Sequence, residues 1–205
     1  HSGFPGESSP LLRPFGKWGL IGTATASYGY GLSLNALHLV RAYCALANDG
    51  LMPQLRLTSG AQVEPPQRAV NGQTARELRA MLEQVVTRDG TGTRAAIPGY
   101  RVAGKTGTVR KVAATGGYAG DRHQSVFIGM VPAENPRLVG LVMIDEPGNG
   151  QYYGGVVAAP VFSTVLQGAL RLLQIPPEEC ATGNCAHSPA AQVAMPTHAL
   201  REPPT

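Results

Sequence analysis

The stretch Ala103-Gly104-Lys105-Thr106-Gly107-Thr108-Val109-Arg110 decides how this chain is read. It lies in a run from Tyr100 to Arg110 that has the composition of a β-strand. A Gly-rich excursion, Thr115-Gly116-Gly117-Tyr118, follows, and then two apolar runs, Ser125 to Val131 and Leu138 to Asp145. Asn135-Pro136 supplies a turn between these runs, and so short a connection implies an antiparallel hairpin. Within the first strand, Lys105 offers a cation and Thr106 and Thr108 offer hydroxyls that can hold a carboxylate. Gly107 leaves room for a ligand to lie against the backbone, and the Thr108 N–H can serve a developing oxyanion. Four common residue types recur by chance on exposed strands, so the weight comes from this context.

Working outward, helices flank the strands. Leu34, Leu37, Val40, Cys44 and Ala47 recur at three- and four-residue spacing, which predicts a helix over about 33–48. Ser33 or Asn35 can cap it, and Gly50 stops it. A second helix is expected over about 74–87, with Leu78, Met81, Leu82, Val85 and Val86 as its apolar face. Asp89-Gly90-Thr91-Gly92-Thr93 breaks it. A last helix is expected over about 157–173, with Ala158, Val161, Val165, Ala169 and Leu172 on one face and Pro160 in its first turn, where a missing N–H costs little. Residues 1–31 show no helical period and read as an extended surface segment. Helices, then three antiparallel strands, then a helix across them make an α+β fold. Residues 1–177 are expected to form the domain. Residues 178–205, rich in Ala, Pro, Thr and His, read as a flexible tail.

With 205 residues the chain is long enough for one cored domain. Its net charge of +4 comes from scattered basic residues rather than a stripe with interleaved aromatics, which argues against nucleic-acid binding. The three cysteines are Cys44, Cys180 and Cys185. Cys44 sits among apolar helical positions as a small hydrophobe. Cys180 and Cys185 lack the companion ligands of a zinc site; they can close a small disulfide loop in an oxidising compartment or remain free thiols. No run approaches the roughly 18 uninterrupted apolar residues of a membrane span.

Other segments extend the signature. Phe4-Pro5-Gly6-Glu7, Lys17-Trp18-Gly19, Tyr28-Gly29-Tyr30-Gly31-Leu32-Ser33, Ala45-Leu46-Ala47-Asn48-Asp49-Gly50, Gly104-Lys105-Thr106-Gly107-Thr108, Ile144-Asp145-Glu146-Pro147 and Tyr152-Tyr153-Gly154-Gly155 occur in this order. Together, over about residues 3 to 177, they resemble class B penicillin-binding proteins, and among these the division-specific peptidoglycan D,D-transpeptidases of Gram-negative bacteria. The resemblance implies the C-terminal part of a transpeptidase fold shared with serine β-lactamases. It implies acylation of a serine by D-alanyl-D-alanine stem peptides, with β-lactams as substrate mimics and no metal or organic cofactor. It implies a periplasmic place, an N-terminal inner-membrane anchor outside this chain, and membrane proteins of the division complex as partners. Lys105, Thr106, Gly107 and Thr108 would be the site's motif, while Tyr30, Tyr152 and Tyr153 would wall the substrate pocket. Arg110, two positions past Thr108, would face the same way, and His123, read as a solvated loop residue ahead of the Ser125–Val131 run, stands near where related sequences place a Tyr.

The chain also departs from that pattern. The family's nucleophile is the Ser of Ser-x-x-Lys, and no Ser here has a Lys three positions on. Ser33-Leu34-Asn35 matches the family's Ser-x-Asn in letters only, because the active motif lies upstream of the segment resembling Phe4-Pro5-Gly6-Glu7. The chain alone is therefore expected to be inactive. A non-catalytic β-lactam sensor or pseudoenzyme scaffold, and a D,D-carboxypeptidase or β-lactamase relative, stand as alternatives.

Overall fold

The computed structural model describes residues 6–12, 14–29, 31–56, 58, 60, 64–112 and 118–178. In chain order its elements begin with helices α1 (Leu20–Ala26) and α2 (Ala36–Ala47) and the short strands β1 (Leu51–Met52) and β2 (Gln67–Arg68). Helix α3 (Gly72–Glu83) and the long strands β3 (Ala103–Val112), β4 (Tyr118–Val131) and β5 (Leu138–Asp145) follow. The single helical turn α4 (Gly154–Val157) and helix α5 (Ala159–Leu172) close the fold. Strands β1 and β2 pair antiparallel with each other. The main sheet has the order β3-β4-β5, antiparallel throughout, with β4 central. The α+β arrangement expected from the sequence is the one observed.

Register assigns the two faces. Thr106 pairs with Phe127 and Thr108 with Ser125; Phe127 in turn faces Val142, and Ser125 faces Ile144. Side chains alternate across a strand, so Thr106, Thr108, Phe127, Ser125 and Val142 share one face. Helix α5 packs on that face. Phe127 and Phe162 are both fully buried and meet edge-on with ring centres 4.8 Å apart. Leu166, Leu170 and Val131 complete this core. On the opposite face Ala103 and Met130 pack with Ala133 against Tyr43 and Leu46 of α2 and Leu82 of α3. Lys105, Gly107 and Val109 continue along the same face, where Val109 and Met143 are exposed.

Local sequence explains the helix ends. The Asn35 side chain accepts the His38 N–H at 2.8 Å and starts α2, and Asn71 does the same for Gln73 at the start of α3. Gly50, at φ +85°, lets the chain leave α2. Pro160 falls in the first turn of α5, as expected.

Expectations for three segments need correction. The first segment is not wholly extended, because α1 forms at Leu20–Ala26 and a 3-10 turn at Phe15–Lys17. Helix α1 buries no residue, with Leu20 90% exposed, so there is no apolar period to read. Helix α3 begins and ends earlier than expected and passes into a 3-10 turn at Gln84–Val86. It buries Ala75 and Arg79 while Leu78 and Met81 stay exposed. The last helix is broken at Ala158 into α4 and α5. Ala158 is buried as expected, and it continues into the buried stripe Phe162, Leu166 and Leu170, whereas Val161, Val165 and Leu172 face outward. The larger side chains, at four-residue spacing, fill the space above Phe127, and the stripe of Val161 and Val165 beside them does not.

Cys44 is half-buried, and burial pushes its thiol pKa up. Tyr30, Cys180, Cys185, the run Thr115-Gly116-Gly117 and the tail beyond residue 178 lie outside the described residues. Glu178 itself is docked: its N–H donates to the Gly99 carbonyl at 3.0 Å and its carboxylate accepts the Arg101 N–H.

Candidate active site

Strand β3 presents the motif, and each hydroxyl on it has a partner from elsewhere in the chain. The Thr106 hydroxyl lies 3.0 Å from that of Thr91, in the loop after α3. The Thr108 hydroxyl accepts the N–H of Gly154 at 3.1 Å. Gly154 opens α4, so this N–H is one that a helix start leaves without an internal acceptor. Lys105 is exposed, and its ammonium donates to the Thr106 carbonyl at 3.0 Å.

Opposite Thr108 on β4, Ser125 is fully buried and donates its hydroxyl to the Tyr152 carbonyl at 2.5 Å. Its position and bonding suit it to structure rather than to nucleophilic attack. The loop it holds lies hard against the sheet. A Cβ at Gly154 would come within 2.3 Å of the Val126 carbonyl oxygen and 2.5 Å of that of Gly107. At Gly107 itself an added Cβ would meet, among the described residues, only the Val126 Cβ, at an ordinary 3.5 Å. The close backbone approach thus falls on Gly154.

The aromatic wall is continuous. The His123 and Tyr152 rings stack at 4.0 Å with 11° between their planes, and Tyr152 meets Tyr153 at 4.7 Å. His123 is not in a solvated loop: β4 starts earlier than the sequence suggested, and this side chain is buried. Arg110 pairs with His123 in the register and so shares the Thr108 face. Tyr153 is 60% exposed, at the open rim. Beyond the motif, Lys111 bridges Asp145 at 2.8 Å and Glu146 at 2.7 Å, and hydrogen bonds to those carboxylates raise its pKa. Arg122 reaches Glu146 at 3.5 Å.

The structure therefore gathers Thr106, Thr108, Arg110, His123 and Tyr152 from β3, β4 and the loop before α4, while Lys105 alternates to the other face of β3. Sequence reasoning missed Thr91 and Ser125. The run Asp89-Gly90-Thr91-Gly92-Thr93 signalled only a helix break, and Ser125 only a strand position. Donor hydroxyls beside an aromatic wall are an arrangement suited to an organic carboxylate. Among the described residues, no group of three His, Cys, Asp or Glu side chains is placed to hold a metal ion. No helix there is long and apolar enough to cross a membrane.

Comparison with known proteins adds four findings. Residues 1–167 match the family model described as penicillin binding protein transpeptidase domain. The chain is 44% identical over 190 residues to the "Probable peptidoglycan D,D-transpeptidase PenA" of Neisseria gonorrhoeae, covering 93% of the chain and 32% of that protein. It is 38% identical over 182 residues to the "Peptidoglycan D,D-transpeptidase FtsI" of Escherichia coli K12, covering 89% of the chain and 31% of that protein. The apo structure of the TP domain from Burkholderia pseudomallei penicillin-binding protein 3 superposes with a TM-score of 0.77 at 46% identity, covering 86% of this chain and 54% of that one. The chain thus spans about a third of the length of these curated relatives.

Proposed function

This chain belongs to the penicillin-binding protein transpeptidase domain family, and from that premise we propose that it is the carboxylate-holding part of an acyl-serine peptidoglycan D,D-transpeptidase. The observation that carries the proposal is the strand Lys105-Thr106-Gly107-Thr108, whose two hydroxyls share a face with His123, itself stacked on Tyr152. A stem peptide ending in D-alanyl-D-alanine would place its terminal carboxylate on Thr106 and Thr108, with Lys105 adding positive charge from across the strand. A serine from the rest of the domain attacks the penultimate carbonyl, and the C–N bond to the terminal D-alanine breaks. The leaving amine takes the proton that the serine gives up. A neighbouring stem amine then resolves the acyl-enzyme and restores the serine. A β-lactam carries a carboxylate and a reactive amide in a similar disposition and acylates the same serine. Tyr30 and Tyr153 would border the substrate side chain. Work at the division septum, in the periplasm and with membrane proteins of the division complex, belongs to the same proposal.

Fluorescent penicillin tests it. The purified chain gives no stable covalent adduct by intact mass, because no Ser here has its Lys three positions on. Joined to an upstream half carrying Ser-x-x-Lys, the protein is labelled stoichiometrically. In that joined protein Lys105→Ala and Thr108→Val each slow acylation by about 10²- to 10³-fold, the range for a lost electrostatic contact. Unchanged rates in both variants, with melting temperatures like wild type, would reduce the motif to a surface strand.

A further inference from the structure

We propose that Ser125 is a positioning residue of this site: through Tyr152 and Gly154 it fixes the Thr108 hydroxyl as a hydrogen-bond donor toward the ligand. The proposal rests on the transpeptidase reading above. A buried hydroxyl is costly unless it is bonded, and Ser125 lies on a face shared with Phe127 and Val142, where an alanine would pack without that cost. Its O–H goes instead to the Tyr152 carbonyl. Across the ladder, directly opposite, Thr108 accepts the Gly154 N–H. The two bonds grip the two peptide groups on either side of Tyr153, so two facing residues on adjacent strands clamp one loop at two points.

The clamp has a chemical consequence. An amide N–H can only donate, so Thr108 Oγ1 is the acceptor in that bond. Its own proton is then left to be donated elsewhere, and Thr108 is exposed to the site. A carboxylate can only accept. Thr108 is thereby set as a donor before an anionic ligand arrives, a form of electrostatic preorganisation. Thr106 differs, because its partner is a second hydroxyl and either can donate. Without the Ser125 tether the 152–154 loop can lift, the Gly154 bond lengthens, and the Thr108 proton is free to turn inward.

The experiment uses this chain joined to the upstream half of a transpeptidase domain, with two readouts. Amide hydrogen exchange at Gly154 reports the clamp. Acylation by benzylpenicillin and by its methyl ester, whose carboxylate is masked, reports the ligand polarity. Ser125→Ala is expected to speed Gly154 exchange about tenfold and to slow acylation by benzylpenicillin about tenfold, while the ester's rate changes less than about twofold. Ser125→Thr, which keeps the hydroxyl, restores the carboxylate preference. Unchanged Gly154 exchange, or equal losses with acid and ester, overturns the proposal. A folded wild type that neither compound acylates removes the transpeptidase reading instead, and Gly154 exchange still decides whether the clamp exists.

Discussion

Replacing Gly154 by Ala tests the contact that holds the site together. The backbone at this residue needs no unusual φ, so the effect is steric. The new Cβ would lie 2.3 Å from the Val126 carbonyl oxygen and 2.5 Å from that of Gly107, both fixed in the ladder between β3 and β4. To restore an ordinary contact the loop must retreat by about 1 Å. That movement also breaks the hydrogen bond from Gly154 to Thr108. Overpacking costs about 1–3 kcal/mol and the lost bond about 1 kcal/mol, for a total of about 2–4 kcal/mol. In a chain of this size that lowers Tm by about 5–15 °C. Gly107→Ala is the matched control, since among the described residues its Cβ meets only the Val126 Cβ at 3.5 Å. Alanine also restricts the unfolded chain, so Tm should stay level or rise slightly. Thermal unfolding followed by circular dichroism reads both variants. If Gly154→Ala melts within about 1 °C of wild type, or if Gly107→Ala falls as far, the assignment of the close approach is wrong.

Two pH predictions follow from buried or paired groups. Hydrogen bonding to Arg79, which also holds the Leu46 carbonyl at 2.7 Å, keeps the Asp49 carboxyl below its usual range, with Arg76 adding to the effect. Its stabilising contribution is present above the unfolded-state value of about 4 and is lost as pH falls through the depressed folded value. Tm measured from about pH 6 to pH 2 should therefore fall less steeply in Asp49→Asn than in wild type. At the alkaline end, burial against the sheet pushes the Tyr43 phenol up to about 12. That contribution holds below about pH 10 and is lost as pH rises through 12. Ultraviolet titration should lose a late-ionising component in Tyr43→Phe, while the component of Tyr100, which burial also raises, stays.

How much of this was legible in the sequence depends on how far each feature's partners lie along the chain. The β4–β5 hairpin could be read because alternation, β-branching and Asn135-Pro136 are local signals. The start of α2 could be read for the same reason, since Asn35 caps a helix whose first N–H groups lie within three residues. Helix α1 could not, because it buries nothing and carries no period. The buried face of α5 was misread because two stripes of apolar residues run side by side. The sheet, through Phe127, chooses Phe162, Leu166 and Leu170 over Val161 and Val165. His123 was misplaced by an error of a few residues in the start of β4. That error moved a buried, stacked ring into a loop.

The motif residues could be read, but not what surrounds them. Thr91 meets Thr106 across 15 positions of sequence, and Ser125 meets Tyr152 across 27. Only the fold brings such pairs together. The consequence bears on how substitutions here are interpreted. Each motif hydroxyl has a structural partner before any ligand is present: Thr91 for Thr106, and the Gly154 amide for Thr108. Removing either hydroxyl therefore loosens a loop and deletes a ligand contact in one step, and the two losses do not separate by rate alone. Thr108→Ser keeps the acceptor that Gly154 uses, as well as the proton offered outward. Thr108→Val keeps the shape and loses both. If the hydroxyl acts on the ligand only through its position in the clamp, the serine variant retains the preference for a carboxylate. The valine variant discriminates acid from ester as poorly as Ser125→Ala. The two strands therefore act as one unit: β4 supplies the buried tether, and β3 supplies the hydroxyl that it aims.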